Sequence, residues 1–428
     1  MLTIAQLHAA DGLEKKIRTE LAETGGTWWG PGADHLGLAT GDPVDTGAFL
    51  DLYTEFRDSR AWHLPAQQRP TLGTRPGRYL TPADHRRRLQ AEYPDLPDKQ
   101  LTARARKMTR SPLLCVDLTF ALPKSVSVLH AAFQAAADHT TGRGALEEAF
   151  TWHRRAAAVR EAVMAGNTAM LETVHDLAGT VRAGAGGKAT MEANGWVVAR
   201  FPRSWNRARD PFLYVRNLIL NRVERADGKW RTLDSRKINH ARAWGAAVGE
   251  RVASEALVAS LGVDFVPHPG EAGFEVAEIP APVLELFSVR NEQVREATPA
   301  LMPLSRTRAT RYPAMLTSLA ADKEHAHRVP GELVHWWDQR LKEADLPALA
   351  DIASLALRSL APQSLPSGAV RTAQHRVTAD LGLKMPTSTR QRGWVALQIN
   401  NRLPGSLGGL DSARVRALLA EAVATYQP

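Results

Sequence analysis

Apolar residues recur at helical spacing between residues 146 and 180. Val159, Val163, Met170 and Val174 fall on roughly one face of this segment, with polar residues between them. A repeat near 3.6 residues is typical of an amphipathic helix that packs one side against a core. The segment from Leu146 to Thr180 is therefore predicted to be helical.

Shorter alternating or continuous apolar runs predict strands. These runs are Leu113–Phe120, Gly195–Phe201, Leu213–Asn221 and the stretch from Gly228 to Leu233. Their length and their content of β-branched and apolar residues are typical of strands, and the last three runs are predicted to be buried. The glycine-rich stretch 182–188, just before the second run, predicts a hairpin turn.

Further helical patterns complete the predicted order of elements. The first 65 residues open with a predicted helix, and others are predicted at Pro82–Glu92, Lys124–Phe133 and Ile238–Leu261. Beyond about residue 300 the pattern is helical and is interrupted by proline-bearing linkers. We therefore predict an α+β domain over residues 1–300 and a helical region over 301–428, whose tail resembles a winged-helix-like module.

Composition indicates a folded protein with a packed core. The chain has 428 residues, is 44% hydrophobic and contains 11 Trp, of which Trp336 and Trp337 are predicted core residues. Its one cysteine, Cys115, excludes an internal disulfide and a cysteine-based zinc site. Since no apolar run reaches bilayer length and no signal-peptide pattern opens the chain, we expect a cytoplasmic protein without membrane insertion.

Positive charge is concentrated in two stretches. The formal net charge is +9; residues 199–242 hold 12 Lys and Arg against 4 acids, and residues 71–110 hold 10 against 4. Such clusters favour a polyanionic partner, because they neutralise phosphates and release counterions. The alternative is a solvated, arginine-rich surface.

One segment combines this charge with a recognisable spacing. Residues 201–221 read F-P-R-S-W-N-R-A-R-D-P-F-L-Y-V-R-N-L-I-L-N. This spacing resembles the signature F-x-H-x-x-S-R-x-x-D/E-P-x-L-H-x-H-x-x-x-x-N of TrwC-like (MobF) conjugative relaxases, which nick plasmid DNA at a transfer origin. The three histidine positions are occupied by Arg203, Tyr214 and Arg216.

Four more segments resemble the same family, in the same order along the chain. They are Trp29–Leu38, Asp117–Leu129, the stretch from Asn221 to Arg236, and Leu286–Arg290. Ordered matches over roughly residues 25–290 are more specific than any single motif. The resemblance implies an HUH endonuclease fold, in which helices flank an antiparallel sheet and the histidine positions lie on adjacent central strands.

The resemblance also implies a chemistry that these residues do not support. In the family, three histidines hold a divalent metal that polarises a DNA phosphate, and a tyrosine near the N-terminus attacks the phosphorus. Guanidinium groups have no lone pair for a metal, and one phenol does not hold it alone. Residues 1–32 contain no tyrosine, and the first in the chain is Tyr53. We therefore expect no metal, no cofactor and no ordinary metal-dependent nicking.

The first of three remaining hypotheses is a catalytically silent DNA-binding protein of plasmid conjugation or mobilisation. Its ligand is single-stranded or hairpin origin DNA, and Arg203 and Arg216 bind phosphates where the family places its metal. The alternative for these two side chains is a salt bridge to a carboxylate such as Asp117 or Asp210.

The second hypothesis is DNA cleavage without a metal. Tyr214 is the candidate nucleophile, while Arg203 and Arg216 replace the charge of the metal and Asp117 or His240 assists proton transfer. The alternative for Tyr214 is an ordinary, half-buried strand aromatic.

The third hypothesis is an interaction protein that binds relaxosome or coupling proteins instead of DNA. The absence of a Walker A sequence before Pro428 supports it, because related relaxases often continue into a helicase.

Further residues are candidate DNA contacts. Arginines neutralise phosphates, aromatic rings stack on bases, and amides at a helix N-terminus bind a phosphate. The candidates are Arg207, Arg209, Arg222, Trp205, Phe212, Lys124 and Ser125. For Ser125, capping of the helix is the alternative role.

Overall fold

In a computed structural model, a five-stranded antiparallel sheet separates two groups of helices. The residues that the structure describes are 2–8, 14, 17–18, 21, 25–73, 80–109, 112–183, 189–206, 208–267, 273–289, 332–357 and 366–428. The strands are β1 (Leu2–His8), β2 (Thr27–Trp29), β3 (Leu113–Ala121), β4 (Thr180–Ala183), β5 (Ala189–Glu192), β6 (Val198–Trp205), β7 (Pro211–Leu220), β8 (Val223–Glu224), β9 (Trp230–Arg231), β10 (Phe265–Pro267) and β11 (Phe274–Val276).

Helices occupy most of the remaining described residues. They are α1 (Pro31–His35), α2 (Thr46–Thr54), α3 (Pro82–Glu92), α4 (Asp98–Met108), α5 (Lys124–Gly142), α6 (Leu146–Ala178), α7 (Ser235–Leu261), α8 (Ala281–Leu286), α9 (Leu333–Glu343), α10 (Leu349–Ala356), α11 (Ala369–Leu381), α12 (Thr389–Asn400) and α13 (Ser412–Ala424). Two short 3-10 turns, Ser59–Ala61 and Ala66–Gln68, follow α2.

The central sheet has the strand order β1-β3-β7-β6-β2, and each neighbouring pair is antiparallel. Three other pairs, β4–β5, β8–β9 and β10–β11, form small two-stranded sheets. The predicted α+β class, with an antiparallel sheet flanked by helices, is confirmed.

Side chains alternate between the two faces of this sheet, and each face has its own core. Val116, Leu118 and Phe120 of β3 point into the larger core, which also takes in side chains of α5, α6 and α7. On the opposite face Phe201 packs against Phe49 of α2, with ring centroids 6.1 Å apart. Further along that second face, β3, β6 and β7 carry polar side chains that are buried or half-buried.

The predicted N-terminal helix is wrong for residues 2–8, which form the edge strand β1. Leu2 and Ile4 point into the larger core, whereas Thr3 and Ala5 are exposed. This period of two is the signal of a strand, and pairing with β3 along its length stabilises it.

Most of the longer predicted elements are confirmed. They include α3, the strands β3, β6 and β7, and the helices α5, α6 and α7. The run from Gly228 to Leu233 is a strand only at β9. The strands β4 and β5 on either side of the predicted hairpin turn pair with each other, and residues 184–188 of the turn itself lie outside the described residues.

The helices α9 and α10 belong to the larger core, and Trp336 and Trp337 are buried there as predicted. Together α9 and α10 pack on α5. The predicted boundary near residue 300 falls outside the described residues and stays a prediction. The larger core takes in residues up to Ala356. Helices α11, α12 and α13 form a further core with α7, and residues 366–428, all described, contain no strand that would serve as a wing.

Two buried charged residues of α7, Arg251 and Glu255, connect α7 to this last group of helices. Arg251 of α7 donates to the Asn400 Oδ1 atom at 2.8 Å and to the Asn400 carbonyl at 3.0 Å. One turn later Glu255, which is fully buried, accepts the amides of Leu407 at 2.9 Å and Gly409 at 2.8 Å. Buried charges of this kind are stable only when their partners are in place, so α7 and the loop after α12 are held together.

Candidate functional site

The three positions that the signature gives to histidine lie together on one face of the sheet. Arg203 of β6 is directly opposite Tyr214 of β7, and Thr119 of β3 is directly opposite Arg216 of β7. Asp117 lies two residues before Thr119 on β3. Residues that are opposite each other, or two apart on one strand, share a face, so these five side chains form a single polar surface. We call it the β3/β6/β7 face.

An ion pair occupies the centre of the β3/β6/β7 face. The Arg216 guanidinium donates to the Asp117 Oδ2 atom from Nη2 at 2.6 Å and from Nε at 3.0 Å. The Thr119 hydroxyl donates to the other oxygen, Oδ1, at 3.0 Å. Only 15% of the Arg216 side chain and 11% of the Asp117 side chain are exposed. The salt bridge that the sequence offered as an alternative for Arg216 is therefore present, with Asp117 as its partner.

Burial lowers the pKa of Arg216 to about 10, which leaves it protonated at neutral pH. Asp117 supplies the compensating negative charge, and Thr119 completes its hydrogen bonding. The pair is thus locally neutral, and Asp117 has to leave it before acting as a proton acceptor.

Tyr214 and Arg203 complete the face on the side away from Asp117. Both are half-buried, and the Tyr214 ring packs against the Phe212 ring with centroids 5.1 Å apart and a tilt of 37°. Phe212 lies two residues from Tyr214 on β7 and therefore extends the same face. The arrangement places a pair of aromatic rings beside two guanidinium groups, a combination that suits both bases and phosphates.

The donors on this face do not fit a divalent metal. Two of the three former histidine positions carry guanidinium groups, which are positively charged and have no lone pair to offer. The nearest carboxylate, Asp117, is bonded to Arg216 and Thr119. Within the described part of the chain, no three His, Cys, Asp or Glu side chains are grouped in a way that could hold a metal ion.

The first tyrosine of the chain is a structural residue. Tyr53 is fully buried on α2, and its hydroxyl donates to the Leu218 carbonyl at 2.7 Å. Burial raises the pKa of Tyr53 well above its ordinary value, so its phenolate is strongly disfavoured. Tyr53 therefore has neither the access nor the ionisation of a nucleophile.

Helix α9 stabilises the turn between β6 and β7 through hydrogen bonds. This structural role was not predicted from the sequence. The Arg340 guanidinium donates from Nη1 to Asp210 Oδ1 at 2.9 Å, and Asp210 also accepts a bond from the Asn206 amide group at 3.3 Å. The Trp337 indole donates to the Arg209 carbonyl at 2.7 Å. Arg209 has a φ of 61°, in the left-handed region, so this bond fixes a backbone conformation that is unfavourable on its own.

Lys124 lies at the same end of the sheet, at the start of α5. Its ammonium donates to the Pro211 carbonyl at 2.9 Å and lies 5.3 Å from the centre of the Phe212 ring. Burial lowers the pKa of Lys124 to about 8, with Asp210 and Glu275 opposing that effect. Lys124 thus anchors the beginning of β7.

Two predicted DNA contacts do not lie on an exposed surface. Ser125 is fully buried; its backbone amide donates to the Glu275 carboxylate at 3.0 Å, and its hydroxyl accepts the Val276 amide at 2.8 Å. The Ser125 amide, which we predicted to bind a DNA phosphate, is thus already hydrogen-bonded to the Glu275 carboxylate.

Arg222 is likewise 6% exposed and is directed into the protein. Its Nε atom donates to the Leu72 carbonyl at 3.0 Å, its Nη1 atom donates to the Asn221 carbonyl at 2.7 Å, and its guanidinium lies 3.8 Å from the centre of the Phe56 ring. Arg222 and Ser125 therefore support the fold, and neither is placed for direct contact with DNA.

Of the other candidates, Trp205 and Arg209 are half-buried at the end of the hairpin, with the Arg209 guanidinium 6.0 Å from the centre of the Trp205 ring. Arg207 lies outside the described residues. His240 is exposed on the first turns of α7. The structure thus brings Arg203, Tyr214, Arg216 and Asp117 together on one face. Trp205 and Arg209 lie at the end of the β6–β7 hairpin, after a register shift in β6, and Trp205 packs against the larger core on the opposite side of the sheet.

Comparison with known proteins gives a family match and a set of similar folds. The family model described as TrwC relaxase matches residues 18–344. No curated protein matches the chain at a significant level.

Three solved structures of the conjugative relaxase TrwC are similar to this chain and cover 81% of it. A metal-free complex with OriT DNA has a TM-score of 0.56 and 22% identity, and 100% of that chain is covered. A complex with a 27-mer DNA comprising the recognition hairpin and the cleavage site has values of 0.55, 23% and 99%. A metal-bound complex with OriT DNA has values of 0.57, 22% and 99%. At these identities the likeness concerns the fold.

Proposed function

The chain belongs to the TrwC relaxase family, and we propose that it is a relaxase-like, DNA-binding protein of plasmid conjugation or mobilisation. The observation that carries this proposal is the β3/β6/β7 face, where Arg203, Tyr214 and Arg216 share the surface that the family signature gives to histidines. Similar solved structures of TrwC hold OriT DNA, in one case with a recognition hairpin. We propose single-stranded or hairpin origin DNA as the ligand of this chain.

On this proposal, the protein binds its DNA without metal-dependent nicking. Positive charge at the former ligand positions, and a carboxylate already bonded to Arg216, support this. The same charge suits a DNA phosphate, since guanidinium groups bind phosphates through paired, charge-assisted hydrogen bonds. Asp117 fixes the Arg216 side chain in place, which lowers the entropy lost when a phosphate binds.

Salt-dependent binding of a labelled single-stranded origin oligonucleotide, measured by fluorescence anisotropy, tests the proposal. Arg203→Gln removes a charge from the face without breaking the Asp117–Arg216 pair. We expect it to weaken binding about tenfold and to reduce the slope of log affinity against log salt by roughly one. The matched control is Arg414→Gln on α13, where the side chain is 75% exposed and remote in sequence from the face.

Equal affinities for the wild type, Arg203→Gln and Arg414→Gln would contradict a phosphate-binding role for the face. If the wild type bound neither single-stranded nor duplex DNA at low salt, the interaction-protein hypothesis would replace DNA binding.

Metal-free strand cleavage is a second candidate function, because Tyr214 lies opposite Arg203 and two residues from Arg216. In that reaction the Tyr214 oxygen bonds to phosphorus, the bond from phosphorus to the DNA 3′ oxygen breaks, and that oxygen takes up a proton as the phenol loses one. The two arginines stabilise the charge on the phosphorane. A covalent protein–DNA adduct that persists in EDTA and disappears in Tyr214→Phe supports cleavage, and absence of an adduct in the wild type rejects it.

Relaxosome or coupling proteins are proposed as further partners, and the cytoplasm as the location. Among the helices that the structure describes, none is both long and apolar enough to cross a membrane. Capture of such partners by the Tyr214→Phe variant with DNA present tests the assembly separately from cleavage.

A further inference from the structure

A cavity of about 410 Å³ lies beside the end of β6, on the side of the sheet opposite the β3/β6/β7 face. Side chains of α5, α6 and α9 form three of its walls, and Ser204 and Trp205 of β6 form the fourth. A volume of this size is within the range of small-molecule sites. It is large enough for one nucleotide and too small for a duplex.

The cavity and the β3/β6/β7 face lie on opposite sides of β6. β2 pairs with β6 only at residues 198–200, so within the described residues the stretch from Phe201 to Trp205 forms the outer edge of the sheet. Successive side chains alternate, and Arg203 lies on the β3/β6/β7 face while Ser204 lines the cavity. A flexible single strand that follows Arg203 therefore reaches the cavity by passing around this edge.

The walls combine groups that recognise a nucleobase with groups that recognise a phosphate. Trp205 is half-buried and lines the cavity, as do the apolar side chains of Leu333 and Val334. Gln134 and Asp138 supply an amide and a carboxylate, which bind the hydrogen-bonding edge of a base.

Arg160 and His153 of α6 also line the cavity, and their side chains are suited to binding a phosphate. One nitrogen of Arg160, Nη1, lies 3.2 Å from the buried His130 Nε2 atom, which fixes the position of the guanidinium at the wall. Arginine carries a permanent charge and presents a planar set of donors that matches phosphate oxygens.

We infer that this cavity binds a single nucleotide of the DNA strand, with the base stacked on Trp205 and its phosphate bound by Arg160. The inference rests on the proposed DNA binding and adds a subsite on the helical side of the sheet. In this arrangement the DNA strand leaves the β3/β6/β7 face by passing around the outer edge of β6.

Photocrosslinking locates the nucleotide. Origin oligonucleotides carrying 5-iododeoxyuridine at one position at a time are irradiated with the full-length protein, and the adduct is mapped by mass spectrometry. We expect one position in the strand to crosslink to Trp205. Adducts confined to Tyr214 or Phe212 would overturn the inference while leaving DNA binding intact.

Binding by matched variants provides the second test. Val334→Trp fills the cavity from α9, and Trp205→Ala removes the stacking surface; each is expected to weaken binding about tenfold, whereas Trp205→Phe retains most of the affinity. Trp394→Ala, which removes an exposed tryptophan on α12, is the control and should bind as the wild type does.

The outcomes separate this inference from the proposed function. If the wild type binds DNA and Val334→Trp binds equally well, the cavity is not a nucleotide subsite. If the wild type itself does not bind DNA, both proposals fail. Circular dichroism and thermal unfolding of Val334→Trp verify that it is folded before its affinity is interpreted.

Discussion

At the residue scale, the behaviour of the β3/β6/β7 face depends on a cation and an anion that are both largely withdrawn from water. Arg216 keeps its charge there because Asp117 is 2.6 Å away. Removing one member of such a pair leaves the other charged and desolvated, which is more costly than removing both.

We therefore predict that Asp117→Asn lowers the free energy of unfolding by about 2 kcal/mol. The measurement is urea denaturation at neutral pH. In the double variant Asp117→Asn, Arg216→Met the unpaired cation is absent, and much of the loss is expected to be recovered. An Asp117→Asn protein as stable as the wild type would show that the pair contributes no stability.

Lys124 gives a pH dependence of the opposite sign from that of a lysine whose pKa is raised by an acidic partner. Its pKa is lowered to about 8 by burial, from an ordinary value near 10.5, so between these two pH values the unfolded chain binds more protons than the folded one. Stability contributed by this position is therefore lowest below pH 8 and rises as pH increases toward about 10.5.

The predicted measurement is the difference in unfolding free energy between the wild type and Lys124→Met. This difference should move in favour of the wild type by on the order of 2–3 kcal/mol from pH 7.5 to pH 10.5. A pH-independent difference would exclude an ammonium with a lowered pKa at this position.

At the scale of elements, the spacing of residues 201–221 was sufficient to predict which side chains meet. Strand register converts that spacing into position, so Arg203, Tyr214 and Arg216 lie together as expected. The spacing did not predict what surrounds them. Arg340 and Trp337 lie more than a hundred residues further along the chain, and Glu275, which occupies the Ser125 amide, lies 150 residues away. Contacts between such distant residues depend on how helices pack, which no local pattern records.

The edge strand β1 shows a different limit of the sequence pattern. Only Leu2 and Ile4 point into the larger core, which is too short a repeat to distinguish a strand from the first turns of a helix. The long helices α5, α6 and α7 were predicted more easily, because many turns repeat the same apolar stripe.

If β6 and β7 have the strand register of the family, histidines placed at residues 203, 214 and 216 should bind a metal. We predict that the triple substitution Arg203→His, Tyr214→His, Arg216→His binds about one divalent ion per chain, since three imidazoles on adjacent strands form a usual metal site. Isothermal titration with a divalent metal and elemental analysis measure this. The single variant Arg216→His is the control, and a folded triple variant that binds no metal would contradict the register.

At the scale of the whole molecule, the buried hydrogen bonds of Arg251 and Glu255 join the C-terminal helices to the part of the protein that contains the central sheet. Glu255 accepts the amides of Leu407, Gly409 and Leu410, and it is fully buried. These contacts are expected to make both parts unfold in one cooperative step.

We predict that Glu255→Leu uncouples the two parts, because it leaves Arg251 charged without its carboxylate and three backbone amides without an acceptor. The expected cost is about 3–5 kcal/mol. Hydrogen exchange measures it: protection should fall across residues 366–428 while the central sheet stays protected. Glu421→Gln on the exposed side of α13 is the control, and equal loss of protection in the sheet and in residues 366–428 would argue against separate units.

The ion pair between Asp117 and Arg216 also limits the order in which substitutions are tolerated during evolution. Replacement of either Asp117 or Arg216 alone passes through a less stable protein, whereas replacement of both does not. The two positions are therefore epistatic, because a change at residue 216 alone leaves the Asp117 carboxylate without its ion-pair partner. Natural variants of this protein are expected to carry changes at these two positions together.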